Sequence, residues 1–253
     1  MNTMYNFENK VAIVTGATSG MGQQIALDLV SQGAQVLASG RNLEKGKELV
    51  NAHPDRMHFL PGDIKLPEIN ENLVGKAIDQ FGRIDHIVLS AGQLGIGKLD
   101  EVTPEQWRDT FATNVDAVYY LLRKALPEMQ AGNGGSVVII GSIAAFHAFP
   151  NHPAYCASKG ALIALVRQLA LDYGPKVRFN LICPAQVRTP LLEASVEAFD
   201  NPDEILEQTA SRLPLKRLGT SHDISESVLF LLSERSSWIT GSYFVVDGGF
   251  LAT

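Results

Sequence analysis

The sequence predicts an α/β fold in which one parallel sheet of seven strands carries helices on both faces. Short apolar runs rich in β-branched residues recur along the chain, and longer amphipathic segments separate most of them. Strands that are apolar along their whole length are typical of parallel sheets, because both faces of such a sheet are buried. The 253 residues are 45% hydrophobic and 19% charged, which is ample for a large core.

Seven apolar runs are predicted as strands. Each is short, and turn-forming residues or an amphipathic segment follow it, as expected for strands of an α/β sheet. In chain order they are Val11–Thr15, Gln35–Ser39, Met57–Leu60, His86–Ser90, Ser136–Ile140, Val177–Ile182 and Tyr243–Val246.

The longest segments between these runs are predicted as helices, because their apolar residues recur at helical spacing. They are Met21–Gln32, Pro104–Met129 and Tyr155–Tyr173. No low-complexity tract or long linker interrupts the alternation of strands and helices. We therefore expect a single doubly wound, Rossmann-type domain over residues 1–253, with ligands beyond the carboxyl ends of its strands.

The overall composition argues against several classes of function. The net charge of −6 and the pI near 5.5 leave no basic footprint, so we expect no nucleic-acid partner. Cys156 and Cys183 are the two cysteines and form no CxxC pair, which predicts buried free thiols in a reducing compartment. Residues 1–10 are polar, and no apolar run approaches the length of a membrane span, so we expect a cytoplasmic protein without a membrane partner.

A glycine-rich turn follows the first predicted strand. Gly16, Gly20 and Gly22 come directly after Val11–Thr15 and open the first helix. Glycines permit the unusual dihedral angles of a sharp turn, and the amino end of a helix points unpaired N–H groups at an anion. This context favours a binding site for the pyrophosphate of a dinucleotide.

A tyrosine and a lysine four residues apart are candidates for proton transfer. Tyr155 and Lys159 share one face of the third helix, and Ser142 follows the strand Ser136–Ile140. A free phenol has a pKa of about 10, and a nearby ammonium is expected to lower it, which would make Tyr155 a usable general acid or base. The Ser142 hydroxyl could hold the substrate oxygen that Tyr155 protonates or deprotonates.

The pattern TGxxxGxG followed far downstream by YxxxK resembles the short-chain dehydrogenase/reductase family. The resemblance extends along essentially the whole chain and includes Asp63, Asn114, Ser142 and Cys183–Pro190. Two stretches depart from the family pattern, since Leu89-Ser90-Ala91-Gly92 replaces NNAG and Pro184-Ala185 replaces Pro-Gly. The resemblance implies an NAD(P)-dependent oxidoreductase that interconverts a ketone and a secondary alcohol, and a homotetramer.

The family resemblance also implies roles for individual residues. Asn114, Ser142, Tyr155 and Lys159 would be catalytic, with Lys159 also binding the ribose hydroxyls and Asn114 holding a water that links Lys159 to solvent. The implied cofactor-binding residues are Gly16, Thr18, Ser19, Gly20, Met21, Gly22, Arg41, Asn42, Asp63, Ile64, Ala91, Gly92, Tyr155, Lys159, Pro184, Val187 and Thr189.

The implied substrate pocket is mostly apolar, which favours a neutral, largely hydrophobic ketone or alcohol. A polar, proline-bounded stretch at about residues 190–215 is predicted to be a variable lid over it. No acidic or cysteine partner completes a metal-ligand set with His147 and His152, so no metal site is expected. The implied substrate contacts are Leu94, Ser142, Ala144, His147, His152, Gln186 and Leu192, with Ile96, Phe146, Phe149, Leu191, Val196 and Phe199 as further apolar candidates.

The cofactor preference depends on the end of the second strand. Folds that prefer NAD usually carry an acidic residue there, which binds the ribose 2′-hydroxyl. This chain has Gly40 and Arg41, with Ser19 and Asn42 as neutral donors, so NADP is predicted and NAD remains the alternative.

Two other functions are compatible with the sequence. One is a 3-oxoacyl-[acyl-carrier-protein] reductase, although the acidic lid would hinder the approach of an acidic carrier protein. The other, from a different class, is a nucleotide-binding or sensing protein without turnover. An enoyl reductase fits less well, because that branch of the family spaces its tyrosine and lysine more widely.

Overall fold

The protein is described by a computed structural model covering residues 5–196 and 201–252. The strands are β1 (Val11–Thr15), β2 (Gln35–Gly40), β3 (Met57–Pro61), β4 (His86–Leu89), β5 (Gly135–Ile140), β6 (Val177–Pro184) and β7 (Ser242–Val246). They form one sheet in the order β3-β2-β1-β4-β5-β6-β7, and every neighbouring pair is parallel. The predicted seven-stranded parallel sheet is confirmed, and its strand ends differ from prediction by at most two residues.

The helices lie on both faces of this sheet. They are α1 (Gly20–Ser31), α2 (Leu43–Ala52), α3 (Pro67–Phe81), α4 (Pro104–Phe111), α5 (Ala117–Ala131), α6 (Pro153–Tyr173), α7 (Pro190–Val196), α8 (Pro202–Arg212) and α9 (Ser221–Leu232). In the described part of the chain, no helix is long and apolar enough to cross a membrane.

Side chains alternate between two apolar cores. Ala12 and Val14 of β1 join the core under α1 and α9, whereas Ile13 between them joins the core under α3, α5 and α6. This alternation follows from the two-residue period of a strand. Both faces of β1 are therefore fully buried, as its apolar run predicts.

The predicted helix Pro104–Met129 is interrupted. A π-helical turn, Ala112–Asp116, lies between α4 and α5. A π turn accommodates one extra residue within a helix, and the helical spacing of apolar residues did not predict it. The turn contains Asn114.

The connections at the sheet's centre create a crevice. From β1 the chain moves outward to β2 and β3, and it then returns to the other side of β1 with β4. Ligands of doubly wound folds bind at the carboxyl ends of the strands where the order reverses. The crevice between β1 and β4 is therefore the expected ligand site.

His86 is buried at the opposite end of the sheet. Its ring packs edge-on against Phe7 with centroids 5.3 Å apart, and neither ring nitrogen has a hydrogen-bond partner among the described residues. The adjacent carboxylate of Asp85 pairs instead with Lys10 and Arg83. Burial lowers the pKa of His86 to about 4, against an opposing effect of Asp85.

We expect His86 to make the fold sensitive to mild acid. Its pKa is depressed in the folded state, so its neutral form is favoured and the unfolded chain takes up the proton first. The free energy of unfolding should therefore fall by about 3 kcal/mol as the pH drops from about 6.5 to about 4. Urea denaturation across this range should show that loss in the native protein and not in His86→Phe. Equal pH dependence of the two proteins would contradict it.

Candidate active site

The glycine turn brings the backbone of two loops together. Gly16 has a φ of +68°, and a Cβ on it would lie 2.8 Å from the backbone nitrogen of Ala91, which follows β4. Helix α1 begins at Gly20, and Ser19 before it makes no side-chain cap. The first turn of α1 also carries no acidic residue. The N–H groups at this helix end are thus available to an anion such as a pyrophosphate.

A cavity of about 590 Å³ extends from this turn. That volume lies within the range of about 300–1,000 Å³ typical of ligand sites. Most of the predicted cofactor residues line it: Gly16, Thr18, Ser19, Gly20, Met21, Gly22, Arg41, Asn42, Asp63, Ile64, Ala91, Gly92 and Thr189. These residues fit an elongated dinucleotide, whose pyrophosphate would lie at α1 and whose adenosine would lie toward Arg41 and Asp63.

Lys45 also lines this cavity and was not predicted. It lies in the first turn of α2, where the Asn42 side chain caps the helix by accepting a hydrogen bond from the Lys45 N–H. The cavity therefore has two basic side chains, Lys45 and Arg41, at the end where an adenosine would lie, which we call the adenosine end. The spacing Arg-x-x-x-Lys is the signal in the sequence that could have revealed Lys45.

The catalytic candidates of α6 lie one turn apart, as predicted. Lys159 is 3% exposed, its Nζ donates a hydrogen bond to the Ile140 carbonyl at 2.9 Å, and it lies 5.6 Å from the centroid of the Tyr155 ring. Burial lowers the pKa of Lys159 to about 8. Ser142 follows β5, and its Oγ accepts a hydrogen bond from the Ala144 N–H.

The expectation that Lys159 lowers the pKa of Tyr155 is wrong for this structure. Burial raises the pKa of the Tyr155 phenol, and a side-chain hydrogen bond with Ser142 is what opposes the rise. The Lys159 ammonium faces the Tyr155 ring and is bound to Ile140. Spacing along a helix does not reveal how deeply the phenol is buried, and burial is the larger effect.

Asn114 is held by three hydrogen bonds. Its Nδ2 donates to the Gln93 carbonyl and to Ser158 Oγ, and its Oδ1 accepts from the Gln93 N–H, each at 2.9 Å. A Cβ on Gly92 would lie 3.7 Å from both Asn114 Oδ1 and Lys159 Nζ, so these two groups lie beside the same glycine. The π turn thus brings Asn114 to the lysine.

A second cavity of about 230 Å³ lies next to the first. The two share Met21, Thr189 and Leu191 in their walls. Of the predicted substrate residues, the second cavity is lined by Leu94, Ser142, His152, Gln186 and Leu192, and it is also lined by Tyr155, Phe149, Leu191, Pro184 and Val187. Gly141, Ile143 and Ala185 line it without having been predicted, and Ser195 of the predicted lid also lines it.

Several predicted substrate residues lie elsewhere. Ala144 lies behind Ser142, and the His147 ring packs edge-on against Phe149 and Phe250. Neither residue lines the cavity, although both lie close to Ser142 in sequence. Of the further apolar candidates, Ile96 and Phe146 are exposed, Val196 is buried but does not line the cavity, and Phe199 falls outside the described residues.

The predicted lid contains two helices. Leu191, Leu192 and Ser195 of α7 line the 230 Å³ cavity, and Leu206 of α8 is buried. Each helix begins at a proline, whose fixed φ suits the first helical position. Residues 197–200 of the predicted lid fall outside the described part of the chain.

Comparison with known proteins places this geometry in a family. A family model described as enoyl-(acyl carrier protein) reductase matches residues 16–251. An uncharacterized oxidoreductase of Thermotoga maritima is 36% identical over 248 residues, covering 96% of this chain and 98% of the relative. The chain belongs to the short-chain dehydrogenase/reductase family. It is an oxidoreductase, and its family uses a nicotinamide dinucleotide.

Two further members of this short-chain family are informative. Cyclohexanol dehydrogenase of Acinetobacter sp. is 33% identical over 249 residues, covering 96% of each chain. The crystal structure of levodione reductase superposes with a TM-score of 0.93 at 28% identity, covering 98% of this chain and 100% of that chain.

The glycine turn generates a paired prediction. Gly16→Ala forces a side chain into left-handed backbone and against Ala91, so the free energy of unfolding should fall by about 1–3 kcal/mol and dinucleotide binding should weaken. Gly75→Ala in α3 is the matched control, because its new Cβ meets no atom within 4 Å. It should stabilise the protein by about 0.5–1 kcal/mol. Chemical denaturation and dinucleotide titration measure both effects, and unaltered binding in Gly16→Ala would contradict the close approach.

Proposed function

We propose that this protein transfers a hydride between NAD(P) and a neutral, mostly hydrophobic substrate, interconverting a ketone and a secondary alcohol. The observation that carries the proposal is the junction of the two cavities. The larger fits a dinucleotide, and Tyr155 and Ser142 line the smaller one beside it. A carbonyl carbon in the smaller cavity would therefore lie between the cofactor site and a proton donor.

The side chains divide the reaction between them. When the dinucleotide is bound, its nicotinamide supplies or accepts the hydride. Ser142 Oγ holds the substrate oxygen, and the Tyr155 hydroxyl donates its proton to that oxygen during reduction. Burial raises the pKa of the Tyr155 phenol, and the hydrogen bond with Ser142 opposes that rise. Lys159 binds the ribose hydroxyls, and Asn114 holds a water beside Lys159.

The smaller cavity favours a compact apolar substrate. Leu94, Ile143, Phe149 and Leu191 form apolar walls around Ser142 and Tyr155. Gln186 adds one polar group, since its Oε1 is buried and has no hydrogen-bond partner among the described residues. The names of two relatives, cyclohexanol dehydrogenase and levodione reductase, support a six-membered ring ketone or alcohol as the substrate class.

The alternative functions find less support in the site. The acidic residues described in the lid, which are Glu193, Asp203, Glu204 and Glu207, are exposed and would repel an acidic acyl carrier protein. The four-residue spacing of Tyr155 and Lys159 is narrower than in enoyl reductases. The assembled Ser142, Tyr155 and Lys159 argue against a sensing protein without turnover.

A homotetramer remains a prediction of the family resemblance. The exposed apolar side chains of Tyr243 and Val245 on the edge strand β7 are compatible with a subunit contact.

Arg41 and Lys45 favour NADP over NAD. Both line the adenosine end of the larger cavity, and two cations suit a 2′-phosphate. The acidic residue typical of NAD-dependent folds has no room at Gly40, because a Cβ there would lie 2.6 Å from Thr18 Oγ1. The lack of room for an acidic side chain at Gly40 and the presence of two cations both favour NADP.

Removal of the Tyr155 hydroxyl tests the reaction itself. Tyr155→Phe should lower kcat for a panel of cyclic ketones about 10²–10⁴-fold, because only the proton donor is lost. Its dinucleotide affinity should stay unchanged in a fluorescence titration. Tyr119→Phe removes a hydroxyl from an exposed tyrosine of α5 and should behave as the native protein. Near-native turnover of Tyr155→Phe would exclude the proposed role.

Charge removal at the adenosine end tests the cofactor preference. Arg41→Ala and Lys45→Ala should each lower kcat/KM for NADPH about tenfold, because each loses a charged contact, while kcat/KM for NADH changes little. Lys47→Ala is the control, since Lys47 lies on the same helix and pairs with Glu44. A native protein that prefers NADH, or equal losses with both cofactors, would refute the NADP assignment.

A further inference from the structure

A chain of three polar side chains runs beside the larger cavity. Lys65 Nζ lies 2.5 Å from Asp109 Oδ1, and Asp109 Oδ2 accepts a hydrogen bond from Gln93 Nε2, also at 2.5 Å. Lys65, Asp109 and Gln93 come from three separate segments: the loop after β3, helix α4 and the loop after β4. We refer to these three residues as the polar bridge.

One end of the polar bridge reaches the adenosine end of the cavity. Lys65 Nζ also lies 3.6 Å from Asp63 Oδ2, and Asp63 lines the cavity together with Arg41. Asp63 and Asp109 therefore share a single ammonium. The hydrogen bond from Lys65, followed by that from Gln93, lowers the pKa of Asp109, and the positive charge of Arg41 contributes in the same direction.

The other end of the polar bridge holds the π turn. The Gln93 backbone makes two of the three hydrogen bonds of Asn114, and the third goes to Ser158 of α6. Thr113, the neighbour of Asn114, donates its hydroxyl to the Asp109 carbonyl at 3.0 Å. Asp109 and Gln93 thus fix the turn that brings Asn114 beside Lys159.

The polar bridge is better shielded than an ordinary surface ion pair. The side chains of Lys65 and Asp109 are 26% and 39% exposed, whereas those of Arg108 and Glu105 on the same helix are 74% and 78% exposed. Exposed pairs contribute little because water and salt screen them. Partial burial and two hydrogen bonds make the bridge the stronger interaction.

We propose that Lys65, Asp109 and Gln93 are positioning residues that couple occupation of the adenosine end of the cavity to the position of Asn114. A ligand that binds Asp63 removes it as a partner of the Lys65 ammonium. Lys65 then interacts with Asp109 alone, which strengthens the contacts by which Asp109 and Gln93 hold the π turn. The two ends of the crevice are thereby linked through one shared ammonium. The proposal rests on the proposed function, because Asn114 acts in that reaction.

Hydrogen exchange tests the coupling without turnover. AMP and adenosine 2′,5′-bisphosphate carry the adenosine half alone, so they cannot touch Asn114 through a nicotinamide. At saturating concentration either should slow amide exchange at residues 112–116 about tenfold in the native protein. Asp109→Leu and Lys65→Met break the bridge from its two sides and should abolish this protection, while protection of the glycine turn at residues 16–22 remains.

Glu105→Gln is the matched control. It removes the exposed ion pair of α4 and leaves the bridge intact, so it should exchange as the native protein does. Thermal melting of each variant shows whether it is folded. If either folded bridge variant keeps the ligand-induced protection at residues 112–116, the coupling is refuted. If neither ligand protects the glycine turn of the native protein, the proposed cofactor site fails as well.

Steady-state kinetics distinguish the proposed coupling from a purely structural role of the polar bridge. Reduced nicotinamide mononucleotide lacks the adenosine half and cannot engage the coupling. Asp109→Leu should therefore lower kcat about tenfold with the full dinucleotide and leave kcat with the mononucleotide within about twofold. The Lys65→Met/Asp109→Leu double variant should be no worse than Asp109→Leu. Equal losses with both cofactors would show that the bridge only supports the fold.

Discussion

A buried ammonium is the constraint on which the catalytic region depends. Lys159 is almost fully buried in the first half of α6, and no carboxylate pairs with it among the described residues. A buried charge is costly unless hydrogen bonds compensate it, and the Ile140 carbonyl at the end of β5 provides one. The end of β5 and helix α6 must therefore keep a fixed distance. That same distance sets where Ser142 and Tyr155 stand.

The seven strands and their parallel arrangement were accessible from the sequence, and the π turn was not. The apolar runs predict strands because a parallel sheet buries both of its faces, and the two cores confirm this. The interruption at Ala112–Asp116 was not predicted from the pattern of apolar residues. Asn114 was therefore found by its resemblance to a family motif, and its position relative to Lys159 required the structure.

The errors at the site share one cause, which is that sequence distance carries no information about direction or burial. Tyr155 and Lys159 stand at helical spacing, yet burial of the phenol outweighs the nearby charge. His147 and His152 are both close to Tyr155 in sequence, yet only His152 of the two lines the smaller cavity. Lys45 was not predicted because it lies on the helix beyond the end of β2, although α2 carries it to the same cavity.

The segment formed by α7 and α8 lies outside both apolar cores, since neither core includes a side chain from the described part of this segment. Its side chains nevertheless wall the smaller cavity through Leu191, Leu192 and Ser195. Substitutions there can change which molecule binds with little loss of folding stability, whereas substitutions at β5 or α6 alter both binding and stability. The architecture thereby separates the part of the chain that can diversify from the part that must stay constant, which suits a fold that many enzymes share.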